Sequence, residues 1–358
     1  MVVVIGDEHE EEPAPRRLWP VPLVAVAVIL AVAAVELARP ADPPDPPEPI
    51  RIWQESTLDG AGVVSSISHG DLGWLASAPN ERGLIALTSP DGVNWDSRMV
   101  AEDVALADSI GRGLARTVVG ADRMVITVGD RDSGIRSFAT SGEQWTEIPF
   151  PQEADRISAL TELRGSIVAV GNSGPVSAVW ALGFDGWDRA IGPLHTGRAI
   201  AVAETENGTA LITAAPALAI YSGDSALDIE LPETISSIEP TTVAVDGQGR
   251  VVLLGVAPVG GRDRTVVLRS VDLTAWEQVG PPLDFLGTGL GHFDDMIVVL
   301  GEPHTLWVVN GDELEAIPAP DGLLLASTSD GQNTVAVGLD PGGLSSRIWS
   351  LPASPESD

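Results

Sequence analysis

Residues 243–255 read VAVDGQGRVVLLG, and the reading of that stretch decides the fold. Val243 to Val245 is a short apolar run, Asp246 to Arg250 is a turn rich in Gly and Asp, and Val251 to Leu254 is a second run that Gly255 ends. Run, turn and run describe a tight antiparallel hairpin. The second run is apolar at successive positions. A sheet with one wet face alternates apolar and polar side chains, so an unbroken run belongs to a strand covered on both faces.

The same short apolar strand returns about every 44 residues, seven times in all: Gly73 to Ala76, Met124 to Gly129, Ser166 to Gly171, Thr209 to Ala214, Val251 to Gly255, Met296 to Gly301 and Thr334 to Gly338. A turn and another short strand precede each copy, as in AVAETENG (201–208) and LLASTSDGQ (324–332). A third strand follows: Gly83 to Thr88, Ile135 to Thr140, Ser177 to Leu182, Ala217 to Ser222, Thr265 to Ser270, Thr305 to Asn310 and Ser346 to Leu351. A fourth is opened by Trp95, Trp145, Trp187 or Trp276, with Leu227 and Leu314 in the matching places. Four antiparallel strands repeated around an axis predict an all-β fold, a seven-bladed β-propeller over residues 50–354. A pair of β-sandwiches would leave one face of each sheet wet. The seventh repeat supplies only three strands, while IRIWQEST (50–57) stands alone with Trp53 where a fourth strand carries its Trp, so 50–57 is expected to close the last blade.

Ser89-Pro90-Asp91-Gly92-Val93-Asn94-Trp95 resembles the Asp-box of bacterial neuraminidase-type (BNR) repeats, Ser/Thr-x-Asp-(x)-Gly-x-x-Trp. Ser270-Val271-Asp272-Leu273-Thr274-Ala275-Trp276 is a second copy without the Gly, and Ser141 to Trp145 and Asp185-Gly186-Trp187 are more degenerate. The resemblance implies sialidase-like propeller blades with the boxes lying away from the ligand face. The residue types suit a fold device: the carboxylate accepts turn N–H groups, Gly allows positive φ and Trp buries a large ring. Ser89, Asp91, Gly92, Trp95, Ser270, Asp272 and Trp276 are therefore expected to be structural. Enzymes of the resembled family use an arginine triad, a Tyr/Glu nucleophile pair and an acidic proton donor. This chain has no Arg-Ile-Pro motif at the start of the body, its only tyrosine is Tyr221, and seven repeats replace the usual six blades. The reading is a non-catalytic member, with a sialidase-like glycoside hydrolase or a glycan-binding propeller as the alternative.

Ahead of the repeats, residues 18–38 are almost uniformly apolar, long enough at 1.5 Å per residue to cross a bilayer as one helix. Arg16 and Arg17 lie before the segment and Arg39 after it, which by the positive-inside rule sets the acidic tail 1–17 in the cytoplasm and the body outside. A cleaved signal peptide is a second reading, with Ala31 and Ala33 as its processing site, and a buried helix of a soluble body is a third. Residues 39–49, RPADPPDPPEP, predict a stiff extended linker, and 355–358 a short tail. The expectation is a single-pass cell-membrane protein with an extracellular propeller.

Formal charge is −31, with 51 acidic residues against 20 basic ones, a field that repels phosphate backbones and excludes nucleic acid as a natural partner. There is no cysteine, hence no disulfide or thiolate metal site. His69, His195, His292 and His304 are assigned to turns or loops of different blades with no metal-ligand spacing, so neither metal nor cofactor is expected. No catalytic constellation emerges. In a propeller the loops between blades and those between second and third strands share one rim, and here these carry Arg82, Arg112, Arg131, Arg136, Arg156, Arg198, Arg262, Arg264 and Arg347. Arginines on an acidic body suit contacts with carboxylates or glycans. The function expected is binding of a protein or an envelope component.

Overall fold

The computed structural model describes residues 52–352 except 58–61, 81, 105–114, 131–133, 143, 192–194, 206–207, 215–217, 223–224 and 344. The expected cytoplasmic tail, membrane helix and Pro-rich linker lie outside the described residues, as does the tail 355–358. Among the described residues no helix is long and apolar enough to cross a membrane. The described strands form seven four-stranded antiparallel sheets.

The inner strands of the seven blades are Ser66–Gly70, Arg116–Val119, Arg156–Leu163, Arg198–Thr205, Glu239–Val245, Gly289–Phe293 and Leu323–Ser329. Each touches the inner strands of both neighbouring blades, and the last touches the first, so they ring a central channel. In six blades the second, third and outer strands follow outward in chain order. The seventh differs. Its outer strand is Gln54–Thr57, paired antiparallel with Ser346–Leu351 in the register Gln54↔Ser350, Glu55↔Trp349 and Thr57↔Arg347. Arg347 Nε reaches Glu55 Oε1 across this seam at 2.7 Å. The paired segment is shorter than the 50–57 expected: Trp53 precedes the strand, and its ring lies 6.3 Å from that of Phe293 in the sixth blade.

Two-sided burial explains the unbroken apolar runs. Seven apolar clusters occur, one at each interface between neighbouring blades, the interface of seventh and first blades included. Alternate residues of a second strand face opposite neighbours. Val251 and Leu253 pack against the fourth blade, while Val252 and Leu254 pack against the sixth. Trp74, Trp180 and Trp349, all essentially inaccessible to solvent, fill the space between sheets. Burial of this kind contributes about 25 cal/mol per Å² of apolar surface.

The two turn boxes at Ser89–Trp95 and Ser270–Trp276 adopt one hydrogen-bonding scheme. Asp91 Oδ1 accepts the Val93 and Asn94 N–H groups at 2.9 and 2.8 Å, and Ser89 Oγ accepts Gly92 N–H at 2.9 Å. Asp272 Oδ1 accepts Thr274 and Ala275 N–H at 2.9 and 3.1 Å, and Ser270 Oγ accepts Leu273 N–H at 2.9 Å. The Trp95 and Trp276 indoles each donate to the carbonyl of the box's fourth residue, at 3.2 and 3.0 Å. That residue needs positive φ: Gly92 has 72°, and a Cβ there would meet Val335 Cγ2 at 2.9 Å. Leu273 adopts φ 68° without being glycine and is wholly buried, so apolar burial holds a backbone conformation that disfavours a branched side chain.

Candidate binding site at the channel mouth

The arginines expected on one rim separate into distinct environments. Arg136, on the third strand of the second blade, donates to both oxygens of Glu147 at 2.8 Å and to Asp103 at 3.1 Å, and its pKa is raised chiefly by the Glu147 bond. Arg264 pairs with Asp284 at 3.0 Å and Arg347 with Glu55. These three lie on strands rather than in the rim loops where they were expected, and carboxylates hold them, so they serve as surface or seam contacts. Arg262, which opens a third strand, and Arg82, in the turn before one, are exposed. Arg112 and Arg131 lie outside the described residues.

Arg156 and Arg198 stand apart. Each opens an inner strand, so the entering connection sets it at the mouth of the channel. Arg156 pairs with Asn172 and Arg198 with Ala214, at the far ends of their partner strands. Arg116, which the sequence reading missed, opens the inner strand of the second blade but pairs with Thr127, three residues before that partner strand ends at Asp130. It is rooted roughly 7–10 Å deeper in the wall, at about 3.3 Å per residue. All three side chains line one cavity of about 620 Å³. Its wall behind them carries Ser158, Thr241 and Thr242 among Ala159, Ala201, Val243 and Leu290.

The partners of Arg116 and Arg198 among the described residues are backbone carbonyls. Arg116 Nε donates to Ser158 O at 3.0 Å and Nη1 to Ala115 O at 3.2 Å; Arg198 Nη2 donates to Pro240 O at 3.3 Å. A carbonyl satisfies a donor without neutralising its charge. Burial, and after it the repulsion of Arg156, lowers the pKa of Arg116 from the ordinary arginine value; it nevertheless stays charged, as arginine does in proteins. Arg198 Nε and Ser158 Oγ are buried with no hydrogen-bond partner. By contrast Arg123, Arg136, Arg250, Arg264, Arg269 and Arg347 each contact a carboxylate. Arg116 and Arg198 are thus part-buried cations held by carbonyls on a chain of formal charge −31.

The opposite mouth has the other sign. A cavity of about 770 Å³ is lined there by Asp246, Asp294, Asp295, Asp330, His69 and His292. Two of these acids are occupied by their own turns. Asp246 accepts Gln248 and Arg250 N–H and pairs with Arg250 Nε at 2.7 Å, and Asp330 accepts Gln332 and Asn333 N–H. Among the described residues no group of three or more His, Asp or Glu side chains is arranged to hold a metal. The histidine assignment needs correction: His69 and His292 sit on inner strands, because the hairpin turns are shorter than the sequence suggests. His292 lines both cavities, and burial lowers its pKa against an opposing hydrogen bond with the Val245 backbone. His195 stacks on Tyr221 with ring centroids 3.6 Å apart, which ties the only tyrosine to a third-strand surface away from the channel.

With this geometry in view, the chain is similar to a structure of YCF48 bound to D1 peptide, at 13% identity and TM-score 0.58 over 86% of this chain and 96% of that one. The likeness is one of fold. A Mitotic Checkpoint Complex structure matches at 14% identity and TM-score 0.56 over 89% and 98% of the chains, and the WD40 β-propeller domain of Doa1 at 15% and 0.52 over 86% and 99%. No family model and no curated protein matches the chain.

Proposed function

We propose that this protein is a binding module, not an enzyme, whose propeller is carried outside the cell membrane on the apolar segment 18–38 and engages a protein partner through the face where its blade-to-blade connections open. The observation that carries the reading is Arg116, Arg156 and Arg198 meeting in one cavity, with Arg116 and Arg198 held by carbonyls rather than carboxylates. Charge kept half-buried without a counter-ion is unfavourable in the unbound protein and favourable once an anionic partner supplies one. The likeness to propellers in a peptide-bound and a multiprotein structure supports a polypeptide partner. The two Asp-box turns, with matching hydrogen bonds, support kinship with BNR-repeat propellers, in a role confined to the fold.

A second reading has one observation behind it. Three arginines in a propeller cavity suit an acidic glycan, as the BNR resemblance implies. Against hydrolysis, Tyr221 is stacked on His195, and among the described residues Glu162 is the one carboxylate lining the arginine cavity.

Site-specific photocrosslinking tests the proposal. A crosslinker at exposed Arg262, on the connection face, should trap a protein in intact envelopes, while one at exposed Val271, in a box turn on the other face, should not. Equal yields from both positions, or a yield from Val271 alone, would refute the face assignment. Protease treatment of intact cells should cleave the body but spare the N-terminal tail; the reverse pattern would refute the orientation.

A further inference from the structure

Resting on the connection face as the partner surface, we infer that the cavity of Arg116, Arg156 and Arg198 is a receptor for a carboxylate presented by a partner polypeptide, either a chain end or an acidic side chain. Four observations converge on this chemistry. The donors are guanidiniums, whose planar forks match carboxylates in two-point contacts. Arg198 Nε and Ser158 Oγ are buried donors lacking an acceptor, which a carboxylate oxygen would supply. The cavity of about 620 Å³ is of the size that encloses a small ligand or a few residues, not a folded surface. Its wall behind the arginines mixes Thr241, Thr242 and Ser158 hydroxyls with Ala159, Ala201, Val243 and Leu290, a lining suited to a peptide backbone with small apolar side chains more than to a polyhydroxylated sugar.

The three arginines are also a repeating device. Residues 116, 156 and 198 stand about one blade apart, and each opens an inner strand. Arg116 reaches into the third blade at Ser158 and Arg198 into the fifth at Pro240, so the guanidiniums lean the same way around the ring. The remaining inner strands open with Ser66, Glu239, Gly289 and Leu323, none of them basic. The positive arc is therefore confined to three adjacent blades, and a bound carboxylate would lie off the channel axis, against the blades of Arg116, Arg156 and Arg198.

The experiment is calorimetric titration of the full chain in detergent with defined peptides at low salt. The probes are Gly-Gly-Gln-Ala with a free C-terminus, its C-terminal amide, and the amide of Gly-Gly-Glu-Ala; 3′-sialyllactose is the glycan arm. Binding of the free acid but not of the two amides assigns a chain end. Binding of the Glu amide at least as tightly as the free acid assigns an acidic side chain. Either result supports the inference, provided that Arg116→Met and Arg198→Met each weaken binding about tenfold to hundredfold. Arg116→Lys, which keeps the charge and loses the fork, should fall between wild type and Arg116→Met. The inference is overturned if the Gln amide binds as well as the acids, if the arginine variants bind unchanged, if no acid binds at millimolar concentration, or if only the sialoside binds. Arg262 crosslinks that persist alongside such an outcome would leave the partner face standing and remove only the carboxylate site.

Discussion

Replacing Arg116 with methionine separates a charge held for binding from one held for stability. Burial first and the repulsion of Arg156 second disfavour the Arg116 cation, and like charges within about 4–8 Å repel by roughly 2–4 kcal/mol at an effective dielectric near 20. Arg116 recovers part of this through two carbonyl bonds, at 3.0 and 3.2 Å, each contributing about 1 kcal/mol. Methionine keeps the apolar stem, removes the repulsion from Arg156 and gives up both bonds, so the difference favours the variant by about 1 kcal/mol. A change of that size raises the melting temperature of a body this large by about 2 °C. The assay is thermal unfolding of wild type and Arg116→Met across a salt series. The variant should melt at or above wild type, with its advantage largest at low salt because ions screen the repulsion that it removes. A fall in melting temperature of 5 °C or more, unaffected by salt, would mean that Arg116 is a structural strut and that the reasoning from uncompensated charge is mistaken.

Deleting residues 50–57 should leave the edge of Ser346–Leu351 unpaired and remove the Glu55–Arg347 contact, so the variant should self-associate and lose cooperativity in unfolding; a monomeric variant with an unchanged melting curve would contradict closure by this strand. Leu273→Gly relieves a positive φ but empties a wholly buried position, and the loss of packing should win by about 1–3 kcal/mol in denaturant titration; a more stable variant would show that backbone strain dominates. Asp272, held down to about 2 by the Ala275 and Thr274 N–H groups, and Asp91, lowered in the same way, bind protons less readily folded than unfolded. Their contribution is complete above the unfolded value near 4 and is lost as pH falls through the folded value, so Asp272→Ala should flatten the acid limb between about pH 4 and pH 2. An acid limb identical to that of wild type would remove the box from the account of acid stability.

The blade count was legible because each second strand is apolar on both faces, a pattern that Val251 to Leu254 displays and that a sheet with one wet face would not produce. Closure was legible for a similar reason, the mismatch between three strands at one end and a lone Trp-bearing strand at the other. Arg116 was not recognised, because the rim was defined by loops and Arg116 sits on a strand that pairs deep in the wall. A usable signal existed: arginine opens the runs at 116, 156 and 198, nearly one repeat apart. The separation of Arg156 and Arg198 from Arg136, Arg264 and Arg347 was beyond reach, since Glu147, Asp284 and Glu55 meet those arginines only through strand pairing and loop placement in three dimensions.

Crystals of the full chain soaked in 4-bromobutyrate, with the bromine located by anomalous scattering, test the arginine cavity most directly. The account predicts a bromine site inside the cavity, with carboxylate density against Arg116 and Arg198, and its absence from Arg116→Met crystals. Bromine only at surface arginines such as Arg262, or at the opposite acidic mouth, would contradict it.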